Sequence, residues 1–116
     1  MKRAHLGELE EVVLLTVAVL HEQAYAIAIM DEMEERLNRT VSIGSLQTVL
    51  RRLEKKGYLT SEFGEVTKVR GGKRKKYFHV TNFGRNALEA KKEERLRLWR
   101  DIPGFSLDSF IFKIGS

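Results

Sequence analysis

Five polar residues on one predicted helix have side chains suited to the edges of base pairs and to phosphates. Arg51 and Arg52 carry planar guanidinium groups, which can pair bidentately with guanine in the major groove or with phosphate. Gln47 and Thr48 lie near the predicted start of the helix, where they can reach a base edge. Ser45, together with the N-terminal amides of the helix, suits a phosphate. Any amphipathic surface helix can carry such residues, so the helix alone does not establish a DNA reader. Together with the basic hairpin that follows it, the helix predicts a reader of duplex DNA.

A basic hairpin follows this helix in the sequence. Gly71 and Gly72 permit a turn with positive φ between two predicted strands, so the cations around them are carried on a hairpin tip. Flexible ammonium groups discriminate sequence poorly, and we expect most of these side chains to position the protein on phosphates. The positioning cations are Lys55 on the helix and Lys73, Arg74, Lys75 and Lys76 in the hairpin. These five and the two arginines of the helix make seven basic side chains, of which roughly a third are expected to be ordinary solvated charges.

Charge is distributed unevenly along the chain. The net charge is +5, but residues 1–35 carry two basic and eight acidic side chains, whereas residues 36–85 carry thirteen basic and three acidic ones. A basic block of this kind predicts a polyanionic partner. A membrane surface fits less well, because the block lacks the Trp-, Phe- and Leu-rich face that an interfacial helix inserts.

Composition limits the class of protein further. With 116 residues, 42% of them hydrophobic and 32% charged, the chain is expected to form one globular unit. It has no cysteine, and its histidines show no metal-ligand spacing, so we expect neither a metal nor a cofactor. The absence of cysteine fits a reducing cytoplasm. The apolar run at 12–20 is too short to cross a bilayer and lacks the basic flank of a signal peptide, so we expect a buried core helix and no membrane partner. An enzyme is not expected, because the sequence shows no catalytic nucleophile paired with a general base, no cluster of metal ligands and no phosphate-binding loop.

Hydrophobic periodicity predicts the elements that position these side chains. It indicates helices over residues 9–21, 25–37, 44–56 and from 82 to about 101. Ser42 and Thr81 are expected to cap the third and fourth helices, and Gly57 to end the third. The apolar stripe from Ala26 to Leu37 is expected to pack inward. Two strands are predicted at 58–70, with a bulge or bend near Gly64, and at 77–80.

The fourth helix carries too narrow an apolar stripe to be stable alone. The first helix is apolar on nearly every side, so we expect helix four and the apolar tail from Phe105 to Ile114 to pack against helix one of a second subunit. Residues 1–81 would then form the DNA-binding domain and residues 82–116 the dimerisation helix and tail. The residues predicted to lie in this homodimer interface are Leu88, Leu96, Trp99, Phe110 and Ile111.

Three helices followed by a hairpin, with a basic third helix, is the order of a winged helix-turn-helix. The motif Gly44-Ser-Leu-Gln-Thr-Val-Leu-Arg-Arg-Leu-Glu-Lys-Lys-Gly-Tyr-Leu59, followed by Gly-Gly-Lys-Arg-Lys-Lys-Tyr-Phe-His-Val-Thr-Asn-Phe-Gly84, resembles the PadR family of bacterial transcriptional regulators. The resemblance covers about residues 6–100. It implies a homodimeric repressor whose third helix enters the major groove and whose wing contacts the backbone or minor groove. Trp99 would line a dimer cleft for a small-molecule effector or, as the favoured alternative, anchor the interface.

One departure from the family pattern limits what the resemblance implies. Gln47 and Thr48 stand where the family usually has Tyr-Pro, so an operator preference cannot be transferred.

The predicted fold is mainly α with a small β-hairpin: a winged helix-turn-helix with a C-terminal dimerisation helix. The predicted function is a sequence-specific regulator, a repressor, that binds double-stranded DNA. The alternative is a protein-docking module whose basic face binds an acidic protein partner and has no duplex affinity at physiological salt.

Overall fold

The computed structural model describes residues 6–65 and 74–104, which form four α-helices with a two-stranded hairpin between the third and the fourth. The helices are α1 (Glu8–Leu20), α2 (Ala26–Leu37), α3 (Ile43–Lys55) and α4 (Asn82–Arg100), and the strands are β1 (Leu59–Phe63) and β2 (Lys76–Val80). A short 3-10 turn, His21–Gln23, joins α1 to α2. This order confirms the predicted mainly helical, winged helix-turn-helix fold.

One apolar core holds these elements together. The apolar side of α3 is buried throughout, and it meets buried residues of α1, α2 and the hairpin. Burial of such side chains is the main favourable contribution to folding. The fully buried large residues are Val13, Leu14, Val17, Ile29, Met33, Leu46, Leu50, Leu53, Tyr58 and Leu59.

Leu37 differs from the prediction, and two apolar residues of α1 are also exposed. Leu37 is 51% exposed, because α2 ends at this residue and the chain turns away through Asn38 in the left-handed conformation, with φ of 51°. On α1, Leu15 and Val19 are 46% and 54% exposed. The first helix therefore presents an apolar surface that its own subunit does not cover.

The predicted helix caps are all present. The Ser42 hydroxyl accepts the Ser45 amide at 3.1 Å, and the Thr81 hydroxyl accepts the Gly84 amide at 2.9 Å. Gly57 follows α3 with φ of +85°, a conformation that glycine adopts without steric cost. These local interactions fix where α3 and α4 begin and where α3 ends.

The hairpin forms the wing. Its strands are antiparallel, with Leu59 opposite Val80 and Phe63 opposite Lys76. β1 is shorter than the predicted strand: it ends at Phe63, and although the Gly64 amide still donates to the Lys75 carbonyl at 2.8 Å, residues 64–65 are not strand. The remainder of that prediction, with the turn at Gly71 and Gly72, lies outside the described residues.

A buried acid ties α1 to the end of α3. Glu10 is 6% exposed, and its carboxylate accepts hydrogen bonds from the Lys56 ammonium at 2.8 and 3.1 Å and from the Gly7 amide at 2.9 Å. Desolvation alone would raise the pKa of Glu10, but the bonds from Lys56 and Gly7 outweigh it and hold the pKa below its usual value. The carboxylate thus stays charged in the fold.

No single helix in the described ranges is long and apolar enough to cross a membrane. Among the residues that the structure describes, one bent pair meets the requirements of length and composition: Glu8–Gln23 with Ala26–Leu37, at an angle of 118°. The apolar residues of that pair include residues buried in the core, such as Val13 and Leu14 of α1 and Ile29 of α2.

Candidate nucleic-acid interface

The polar face of α3 points outward along the whole helix. The buried stripe of Leu46, Val49, Leu50 and Leu53 fixes the helix on the core, so the intervening positions lie on the opposite side. All six polar residues of α3 that were predicted to contact DNA are exposed: Ser45, Gln47, Thr48, Arg51, Arg52 and Lys55. The α3 face, as we call these six residues, is accessible from solvent.

Two polar groups at the start of α3 already have partners. The Thr48 hydroxyl donates to the Gly44 carbonyl at 3.0 Å, which leaves its oxygen able to accept but not to donate. The Ser45 amide is taken by the Ser42 cap, so a phosphate at Ser45 would meet the hydroxyl group rather than the amide. Gln47 keeps a donor and an acceptor for a base edge.

A groove joins the α3 face to the wing. Gln47 and Arg51 line it from α3, and Lys75 and Lys76 line it from β2 and the residue before it. Tyr25, which precedes α2, forms a third side. Four of the predicted DNA-binding residues therefore meet around one depression, although their two segments are about 25 residues apart in the sequence.

The wing cations are held by specific neighbours. The Lys75 ammonium lies 4.2 Å from the centre of the Tyr25 ring, a cation–π distance. The Lys76 ammonium lies 3.7 Å from a Glu54 carboxylate oxygen and also faces the Phe78 ring at 5.6 Å. Arg74 is exposed, and Lys73 lies outside the described residues.

Tyr25 and Glu54 were not predicted from the sequence as residues of the site. Glu54 follows the last buried leucine of α3 and is one of only three acids in the basic block, an unusual charge that could have drawn attention to it. Tyr25 sits in the break between two predicted helices and gave no comparable signal. Its contacts with the wing depend on how the chain folds back.

An apolar groove lies on another part of the surface, between α1 and α4. Leu15 from α1 and Leu88, Leu96 and Trp99 from α4 line it, with charged residues around them. Leu88 and Leu96 are half-buried, and Trp99 is 45% exposed. The structure thus places three predicted interface residues in one groove, while Phe110 and Ile111 lie outside the described part of the chain.

An ion pair supports the arrangement of these two helices. Arg95 on α4 donates to the Glu11 carboxylate on α1 at 3.2 Å, and both residues border the apolar groove. Glu8, at the start of α1, similarly accepts a hydrogen bond from Arg39 at 2.6 Å. That bond is the main cause of the lowered pKa of Glu8.

Comparisons with known proteins agree with this architecture. The model of the PadR-like family of transcriptional regulators matches residues 14–90. An uncharacterized protein from Lysinibacillus sphaericus is 31% identical over 98 residues, covering 83% of this chain and 82% of that protein.

Solved structures show the same fold. A PadR family transcription regulator from Clostridium difficile is 30% identical with a TM-score of 0.59, and the match covers 89% of this chain and 92% of that one. A PadR family regulator from Eggerthella lenta is 28% identical with a TM-score of 0.63, covering 78% and 79%.

Proposed function

Because this chain belongs to the PadR-like family of transcriptional regulators, we propose that it is a homodimeric repressor that reads a specific double-stranded DNA site with its α3 face. Family membership makes it a DNA-binding regulator and not an enzyme. The observation that carries the finer proposal is the groove in which Gln47 and Arg51 of α3 meet Lys75 and Lys76 of the wing.

The dimensions of α3 suit a major groove. Its 13 residues give a rod about 20 Å long, and the major groove, about 12 Å wide, admits one helix. The distinct donor and acceptor pattern of each base pair in that groove can be read by Gln47, Arg51 and Arg52. The wing would follow the neighbouring backbone with its cations.

Homodimerisation is supported by the apolar groove between α1 and α4. A second copy of the chain would cover Leu15, Leu96 and Trp99, and two-fold symmetry would present two α3 faces to one site. Repression rests on the family resemblance: a dimer bound across a promoter would exclude the polymerase.

Selection of genomic fragments by the purified protein tests the proposal directly. We expect enrichment of a pseudo-palindromic sequence near promoters, and less transcript from such a promoter in vitro when the protein is added. Retention of random and selected duplexes alike in a gel shift would contradict sequence-specific reading. Absence of duplex binding at physiological salt would instead favour an acidic protein partner.

Alanine variants of Arg51 and Arg52 are expected to distinguish contacts that read base edges from contacts that only position the protein on phosphates. Replacing an arginine that makes a bidentate base contact with alanine should cost about 1–3 kcal/mol at the selected site and much less on random DNA. Titration of both duplexes with each variant measures the difference. Arg36→Ala is the control, since this exposed arginine pairs with Glu32 on α2 and does not line the groove. Equal losses on the two duplexes would make the arginines backbone contacts.

The wing cations are expected to set part of the salt dependence. Log affinity should fall linearly with log salt, by about 0.9 per phosphate contact, and alanine at Lys73, Arg74, Lys75 and Lys76 should flatten the slope and weaken all sequences alike. A variant with the same loss of charge elsewhere controls for net charge. Its four alanines replace Arg36, Lys91, Arg97 and Arg100. If both variants keep the wild-type slope, the wing does not contact the backbone.

A further inference from the structure

Glu54 is an acid in an otherwise basic groove. It lies on α3 one turn after Arg51, and it lines the groove together with Lys75 and Lys76. Its side chain is 34% exposed. A carboxylate in this place repels phosphate, so by charge alone it should weaken the binding of DNA. Its contacts indicate a different role.

Glu54 joins α3 to both strands of the wing. The Ser61 hydroxyl of β1 donates to one Glu54 oxygen at 2.5 Å, and the Lys76 ammonium of β2 lies 3.7 Å from the other. Hydrogen bonds to a charged acceptor are about twice as strong as neutral ones. The carboxylate of Glu54 therefore connects α3 to the hairpin.

Tyr25 holds β2 from the side of α2. Its ring meets the Tyr77 ring edge-on, with centroids 5.7 Å apart and planes at 79°, and it carries the Lys75 ammonium on its face. One residue earlier, the Ala24 carbonyl accepts the Phe78 amide at 2.8 Å. The strand is thus attached to the start of α2 by backbone and side chain together.

We propose that Glu54 and Tyr25 are positioning residues that fix the orientation of the wing relative to the α3 face. This inference rests on the proposed DNA-binding function. A wing held in place can meet the backbone while α3 occupies the major groove, without the entropic cost of ordering the hairpin on binding. The two side chains act through the wing and need not touch DNA themselves.

Variants of equal charge separate positioning from electrostatics. Glu54→Ala and Glu54→Gln both remove the repulsive charge, but only glutamine keeps an acceptor for the Ser61 hydroxyl. We expect Glu54→Ala to bind the selected duplex roughly tenfold more weakly than Glu54→Gln. Ser61→Ala, which changes no charge, should weaken binding as well. The double variant Glu54→Ala with Ser61→Ala should bind DNA little more weakly than Glu54→Ala alone. Glu62→Gln is the control for charge, because Glu62 pairs with His79 inside the hairpin.

Tyr25 provides a second matched pair. Tyr25→Phe keeps the ring that contacts Lys75 and Tyr77 and should bind nearly as the wild type does, whereas Tyr25→Leu loses the ring and should bind several-fold more weakly. Thermal unfolding of each variant establishes that it is folded. The proposal would be overturned if the two Glu54 variants bound the selected duplex equally well and the two Tyr25 variants did so too. It would also be overturned if Glu54→Ala and Glu54→Gln both bound it more tightly than the wild type.

Hydrogen exchange in the free protein tests the wing without DNA. Glu54→Ala and Tyr25→Leu should speed the exchange of hairpin amides such as that of Gly64, which donates to the Lys75 carbonyl at 2.8 Å, while core helix amides keep their rates. Unchanged exchange would overturn the proposal, and so would faster exchange with undiminished affinity. If the wild type itself bound no duplex, the proposed function would fail, and with it the role in DNA binding. The exchange rates would still show whether Glu54 and Tyr25 hold the wing.

Discussion

Gly84→Ala is expected to destabilise the fold by about 3 kcal/mol. A Cβ at this position would lie 2.3 Å from the Tyr58 carbonyl oxygen and 3.1 Å from two further backbone atoms of Tyr58. These atoms cannot move easily, because Tyr58 is 1% exposed, its amide donates to the Leu53 carbonyl at 2.9 Å and its carbonyl accepts the Thr81 amide at 3.1 Å. The start of α4 would have to move away from Tyr58.

A second helical glycine supplies the matched control for this variant. Gly44 lies in the first turn of α3 as Gly84 lies in that of α4, and a Cβ there would meet nothing within 4 Å. We expect Gly44→Ala to leave stability unchanged or to raise it by up to about 1 kcal/mol. Thermal unfolding should show a melting temperature lower by roughly 10 °C for Gly84→Ala. Equal melting temperatures for the two variants would contradict the close approach at Tyr58.

The junction at Gly84 shows what the sequence could predict and what it could not. Thr81 was identifiable as a cap because a hydroxyl before a helical segment accepts a free amide, and the structure confirms it. The same hydroxyl also donates to the Gly57 carbonyl at 2.7 Å, 24 residues away. Caps and periodicity are local properties and therefore visible in the sequence, whereas contacts between distant segments are not.

The candidate interface divides in the same way. The helical period of α3 places Leu46, Val49, Leu50 and Leu53 on one side and predicts Thr48, Arg51, Arg52 and Lys55 on the opposite side, where all four are exposed. The groove was not predictable, because it needs Tyr25, Glu54 and the wing to come together from three separate segments. Leu37 is a related case: its spacing fits the apolar stripe of α2, but only the fold shows that the helix ends beside solvent.

Dimerisation is expected to depend on the apolar groove between α1 and α4. Leu15 is 46% exposed on α1, so a charged residue at this position is compatible with the folded subunit but not with a buried interface. We expect Leu15→Glu to convert a dimer of 13.4 kDa chains into monomers at micromolar concentration. Sedimentation velocity measures the mass. Leu37→Glu is the control, because Leu37 is 51% exposed at the end of α2 and should leave the dimer intact.

Loss of the dimer should also reduce DNA affinity, by about 100-fold or more. In a two-fold dimer the α3 faces would lie about one DNA turn, roughly 34 Å, apart, and both would contribute to binding at a pseudo-palindromic site. A duplex with a single half-site provides the comparison: it should bind Leu15→Glu and wild type about equally, since only one α3 face is engaged. A wild-type chain that sediments as a monomer would contradict the dimer. A monomeric Leu15→Glu that kept full affinity for the palindromic site would show that specific binding needs one subunit only.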